Sequence, residues 1–162
     1  MFFFEQTCSK MENGVFLLNS TSPSTWSNNY STLPIRAFKA SSTTRMILSR
    51  GIDPEYSLGF FCTGSCDSYY LSVVVCGGLD NRLVWIANRD NPVAGDAKLE
   101  LTHSGDLVTR DSNGLKVWST GTVGLSVFGM NITTEGNIIL FDAEDAPVWQ
   151  SFDHPVDVFL LG

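Results

Sequence analysis

The chain has 162 residues, of which 43% are hydrophobic and 17% charged, the composition of one folded domain and not of a disordered segment. A net charge of −7 excludes a sequence-independent nucleic-acid binder, because neutralising phosphates requires clustered Lys and Arg. No apolar run approaches the ~20 residues of a membrane-spanning helix, so no membrane span is predicted in this chain.

Residues 1–42 read as a polar, loosely structured N-terminal segment. Its opening Met1-Phe2-Phe3-Phe4-Glu5 has an apolar triplet but neither a basic flank nor a hydrophobic stretch of ~7 to 15 residues, so no signal peptide is visible. The runs Asn19-Ser20-Thr21-Ser22-Pro23 and Ser27-Asn28-Asn29-Tyr30-Ser31 supply turn formers without periodicity. Arg36, Lys39, Arg45 and Arg50 gather here and just beyond, and are read as a solvated surface. Asn19 and Asn29, with Asn131 farther on, head N-x-S/T sequons and are predicted glycosylation sites, which fits a secreted protein.

From Thr43 the pattern changes to short apolar segments at 46–48, 56–61, 70–75, 83–87, 98–101 and 107–109, separated by turn residues. Such spacing predicts an all-β domain with very little helix. Cys62 and Cys66 flank Thr63-Gly64-Ser65, and as the arms of a hairpin they would face each other at disulfide distance. A metal site would need further ligands from Cys8, Cys76, His103 and His154 at suitable spacing. A Cys62–Cys66 disulfide is therefore expected and no metal, with the state of Cys8 and Cys76 left open.

The strongest signal is an internal repeat. Leu101-Thr102-His103-Ser104-Gly105-Asp106-Leu107-Val108 recurs as Ile132-Thr133-Thr134-Glu135-Gly136-Asn137-Ile138-Ile139, and Asp111 and Trp118 match Asp142 and Trp149, all at an offset of 31 residues. A looser copy runs to Trp85, with Val75 and Val84 matching Val108 and Val117 at an offset of 33. Asn113-Gly114, Ser104-Gly105 and Glu135-Gly136 punctuate the strands, and Pro147 breaks the only segment, 141–148, that could pass for a helix. Each copy alone would expose an apolar face, so three antiparallel sheets closing around one axis are predicted, with Trp85, Trp118 and Trp149 in the core.

No catalytic constellation is read. His154 lacks an activated nucleophile, no G-x-S-x-G elbow is present, and the acidic residues show no paired-carboxylate spacing. No cofactor and no enzyme activity are expected.

Several strings resemble a known family. Tyr56-Ser57-Leu58-Gly59-Phe60-Phe61, Val84-Trp85-Ile86-Ala87-Asn88-Arg89-Asp90-Asn91-Pro92, Leu99-Glu100-Leu101-Thr102, and Trp149-Gln150-Ser151-Phe152-Asp153-His154-Pro155 are similar to the bulb-type, mannose-binding lectin domain. The closer likeness is to the lectin domain of plant G-type lectin S-receptor-like serine/threonine kinases, over residues 43–160. The resemblance implies a β-prism II fold, three four-stranded antiparallel sheets with pseudo-threefold symmetry. It also implies a non-catalytic, carbohydrate-binding ectodomain, extracellular or attached to the plasma membrane, that takes a glycan or cell-surface protein as partner and forms a homodimer by exchanging C-terminal strands. The S-locus region, membrane helix and kinase motifs of such receptors are not in this sequence, which reads as an isolated or truncated lectin domain.

Mannose-binding members carry Q-x-D-x-N-x-V-x-Y. The second copy here has Thr102, Ser104, Asp106, Val108 and Arg110 at those positions, and the third has Thr133, Glu135, Asn137, Ile139 and Phe141. Only Val108 and Asn137 match. A millimolar sugar site is worth about 4 kcal/mol and each lost hydrogen bond removes ~0.5 to 1.5. A degenerate carbohydrate site is therefore expected, best retained in the third copy. The alternative is a pseudo-lectin for protein interaction or self-association, in which Asp106, Glu135 and Asn137 are turn residues.

Overall fold

The computed structural model describes residues 15–18, 24–29, 33, 35–37, 42–77 and 81–156. Among these are thirteen strands in chain order. Three short ones come first: β1 (Val15–Leu17), β2 (Thr25–Ser27) and β3 (Ile35–Ala37). Four longer ones follow: β4 (Ser42–Arg50), β5 (Glu55–Thr63), β6 (Tyr70–Cys76) and β7 (Arg82–Ile86). The second copy gives β8 (Lys98–Leu101), β9 (Leu107–Arg110) and β10 (Lys116–Ser119). The third gives β11 (Gly129–Ile132), β12 (Ile138–Phe141) and β13 (Pro147–Gln150), ending in a single 3₁₀ turn, Ser151–Asp153.

The copies form three antiparallel sheets. Sheet 1 runs β3-β4-β5-β6-β7, sheet 2 β10-β9-β8-β2, and sheet 3 β1-β11-β12-β13. The architecture is the three-sheet closure expected from the repeat and the β-prism II implied by the resemblance, with sheet 1 carrying β3 as an edge strand beyond its four. Alternation within each strand sets the inner faces: Leu58, Phe60, Leu71 and Val73 in sheet 1, Leu99, Leu101 and Leu107 in sheet 2, and Met130, Ile132, Ile138 and Leu140 in sheet 3 are all essentially inaccessible. Each such side chain contributes roughly 1.5 to 3 kcal/mol through burial, and no sheet could bury its own without the other two.

Trp85, Trp118 and Trp149 meet on the axis as a triangle of edge-to-face contacts, with ring centroids 5.8, 5.9 and 5.9 Å apart. Trp85 and Trp149 are buried and Trp118 is half-buried at the rim of the same cluster. Strand pairing at an offset of 31 residues is reproduced in detail: the turn in which Asp111 N–H donates to Leu115 O returns as Asp142 N–H to Ala146 O. Asp145, at φ +63°, takes the left-handed position that Gly114 holds in the second copy.

Three points differ from the sequence reading. The described parts of the polar N-terminal segment are not loose ends, since β1 pairs with β11, β2 with β8 and β3 with β4, one edge for each sheet. Phe16 and Trp26, with centroids 4.9 Å apart, link the first two of these strands. Arg45 is no solvated side chain: it is 5% exposed, donates Nη1 to Asn28 O at 2.7 Å and Oδ1 at 2.9 Å, and lies over the Tyr69 ring. Arg50 likewise reaches across to sheet 3, as described below, while Lys39 lies outside the described residues. Finally, the Cys62–Cys66 disulfide is present with Cα atoms 5.0 Å apart, but it is not a cross-strand pair. Cys62 sits opposite Thr43, and Cys66, at φ +57°, follows the turn that ends β5. Cys76 is disulfide-bonded as well, and Cys8 lies outside the described residues.

Candidate ligand-binding faces

The motif residues of the second and third copies occupy equivalent places in sheets 2 and 3, each running from the β8–β9 or β11–β12 turn onto the following strand. In sheet 2, Thr102 Oγ1 accepts from Asp106 N–H at 3.0 Å and shares a hydrogen bond with Ser104 Oγ at 2.9 Å. Asp106 is 6% exposed, and its Oδ1 accepts from Thr120 Oγ1, Gly121 N–H and Thr122 N–H at 3.1, 2.9 and 3.2 Å. In sheet 3, Thr133 Oγ1 accepts from Asn137 N–H at 3.1 Å and Glu135 N–H at 3.3 Å. Asn137 accepts at Oδ1 from Ser151 Oγ and Phe152 N–H at 3.2 and 3.1 Å, and its Nδ2 donates to Gln150 Oε1 at 2.9 Å. Both residues thus tie down the chain where it leaves the last strand of the sheet.

A threefold feature accompanies them that the sequence reading missed. Leu71 N–H donates to Asn88 Oδ1, Leu107 N–H to Thr120 Oγ1 and Ile138 N–H to Ser151 Oγ, at 2.7, 3.1 and 2.9 Å. Each acceptor follows its copy's tryptophan closely, and Trp118-x-Thr120 beside Trp149-x-Ser151 was the available signal.

The outer faces are where the copies part. Glu135 is exposed; hydrogen bonds from Thr134 first, then Thr133, hold its carboxyl below the usual carboxylate range. Val108 is buried at 2% exposure, whereas Ile139 and Phe141 line an open cavity of about 550 Å³ with Val15, Leu17, Phe128 and Asn131. Arg110 stands directly between Lys98 and Lys116 in register, three cations in one row across sheet 2. None of the three forms an ion pair among the described residues. The positions 31 residues on are Gly129, Phe141 and Pro147, also in register. Gly129 is needed there, because a Cβ would fall 2.6 Å from the Phe141 ring.

The histidines serve the scaffold or the surface. His154 stacks on Trp149 at 5.2 Å and its carbonyl accepts from Trp85 Nε1 at 2.9 Å, while His103 is exposed. Among the described residues no group of three or more His, Cys, Asp or Glu could hold a metal ion, and no helix is long and apolar enough to cross a membrane. Of the sequons, Asn29 follows β2, Asn131 lies in β11, and Asn19 is outside the described residues.

Three sheets on a tryptophan axis, with the same threonine-anchored polar turn on two of them, define a class. The family model described as D-mannose binding lectin matches residues 82–162, and the chain belongs to that bulb-type lectin family. It is similar to a G-type lectin S-receptor-like serine/threonine-protein kinase of Arabidopsis thaliana, 34% identical over 129 residues, which covers 77% of this chain and 14% of the kinase. It is also similar to the S-locus-specific glycoprotein S6 of Brassica oleracea, 35% identical over 127 residues, covering 74% of this chain and 28% of the glycoprotein. The chain therefore spans about a seventh to just over a quarter of the length of these relatives.

Proposed function

We propose that this chain is a non-catalytic carbohydrate-recognition module of plant receptor-ectodomain type, acting at the cell surface, and that its contact face is the outside of sheet 2. The ligand class this face suits is an acidic oligosaccharide. The supporting observation is the row Lys98-Arg110-Lys116. Like charges directly opposite in an antiparallel sheet destabilise it, and a polyanion laid across the row relieves that repulsion.

Neutral mannose fits less well. Oδ1 of Asp106 and both amide atoms of Asn137 are already bonded within the protein, so a sugar recognised through them would have to displace those bonds. Exposed ion pairs contribute only ~0.2 to 1 kcal/mol each, so three of them fall short of the ~4 kcal/mol of a millimolar site. An oligomer with additional hydroxyl contacts is required, not a single uronic acid.

Titration calorimetry with an oligogalacturonate and with a manno-oligosaccharide tests this. The expected result is binding of the acidic ligand alone, weakened by added salt and lost in Arg110→Glu. Mannose-inhibitable binding would return the motif to the centre of the account. Absence of binding to both sugars would leave a protein-interaction domain.

A further inference from the structure

We infer that Asn131 carries an N-linked glycan whose first sugars lie in the apolar cavity of sheet 3 and cover it. Asn131 heads the sequon Asn131-Ile132-Thr133 and lies in β11 between Met130 and Ile132, both fully buried, so alternation turns its side chain outward. There it lines the cavity of about 550 Å³ with Ile139, Phe141 and three apolar side chains left 41 to 48% exposed, Val15, Leu17 and Phe128. The volume is that of a small-ligand pocket, and the apolar ring faces and acetamido methyl of N-acetylhexosamines suit such a lining.

Arg50 makes the assignment specific. Its Nε donates to Ile132 O at 2.6 Å, which fixes the guanidinium, and its Nη2 donates to Asn131 Oδ1 at 3.1 Å. A guanidinium has only donors, so the amide atom facing it must be the oxygen. Nδ2 is therefore turned away, with no partner among the described residues. Glycosylation substitutes that nitrogen and leaves the carbonyl intact, so the bond to Arg50 survives the modification and orients the linkage.

The donor is an oligosaccharide carried on a lipid diphosphate. The C1–O bond to the diphosphate breaks with its electron pair leaving on the diphosphate, the C1–Nδ2 bond forms, and the amide proton passes to a base of the transferring enzyme. The step precedes folding, and the folded sheet then receives the sugar. This inference stands independently of the acidic-ligand reading, which concerns sheet 2.

The test uses the full chain secreted from a mammalian cell line behind a heterologous signal peptide. Release with an N-glycosidase in heavy-oxygen water should convert Asn131 to isotope-labelled aspartate in its peptide. An unlabelled Asn131 overturns the inference. Binding of an apolar fluorescent dye should rise several-fold in Asn131→Gln, which keeps an amide oxygen for Arg50 but accepts no sugar, and Phe128→Ser in that background should reverse the rise. Equal dye binding by the Asn131→Gln and occupied proteins would overturn the covering role. If Asn131→Gln is not secreted, enzymatic release from the native chain supplies the same comparison.

Discussion

Sheets 2 and 3 are two solutions built on one backbone. Residue for residue, 31 apart, they keep Thr102 and Thr133, Gly105 and Gly136, Trp118 and Trp149, and they place Asp106 and Asn137 in the same structural task. Outside, they share almost nothing: a row of cations on one, a glycine, a phenylalanine and a proline on the other. Agreement between copies marks what the prism needs in order to close. Disagreement marks what each face is free to contact. On that basis Asp106 and Asn137 belong to the first category.

The largest effect should come from the axis. Trp149→Ala removes a buried indole that packs on two others and on His154, and should cost about 3 to 5 kcal/mol in urea unfolding. Trp118→Ala, at the half-buried corner of the same triangle, should fall at the lower end of that range or below it. Equal losses would mean that the axis is symmetric in energy as well as in geometry.

Next is the comparison of Asn137 with Asp106. Asn137→Ala strands Ser151 Oγ, Phe152 N–H and Gln150 Oε1, and should cost roughly 2 to 3 kcal/mol by the same measurement, against about 1 to 3 for a single unpaired buried group. Asp106→Asn retains an oxygen for the three donors from Thr120, Gly121 and Thr122 and should lose less. A neutral effect of Asn137→Ala would free that residue for ligand binding and weaken the division between scaffold and face.

The division also explains what could be read from the chain. Tryptophans 33 and 31 residues apart and alternating apolar positions are legible because burial demands them. β1, β2 and β3 were not legible, since three residues carry no periodicity and these strands are specified by the open edges they complete. Arg45 and Arg50 flank the apolar run Met46-Ile47-Leu48 in sequence, but their partners are Asn28, Ile132 and Asn131, which only the closed prism brings near. Asn137 was half legible: its place beside Gly136 marks a turn, while its bonds to Ser151 and Phe152 span 14 and 15 residues.

A smaller effect should separate the outer faces. Arg110→Glu turns two like-charge neighbours into opposite-charge pairs with Lys98 and Lys116, so the variant should be more stable than the native chain by ~0.2 to 1 kcal/mol per pair at low salt. The gain should fade as salt is added. A variant that gains stability and does not bind the oligogalacturonate that the native chain binds would show that the row is kept at a cost to the fold. Loss of stability would mean that Arg110 packs against sheet 2 through its stem and that its charge is incidental.

The smallest effect lies at Glu135, which has Ser104 as its counterpart in sheet 2 and so no ionisable equivalent there. The hydroxyl of Thr134, followed by that of Thr133, favours its charged form and lowers its pKa. With the folded-state value depressed, the carboxylate's contribution to stability is present above the ordinary glutamate range and is lost as pH falls through the lowered pKa. Because Glu135 is fully exposed, the change in stability should be slight and the titration itself is the better readout. Its side-chain carboxyl resonance should titrate below that of an unperturbed glutamate, and Thr134→Val should move it back upward. A titration unaffected by Thr134→Val would assign the shift to Thr133 and the turn, making Glu135 part of the scaffold and not of the open face.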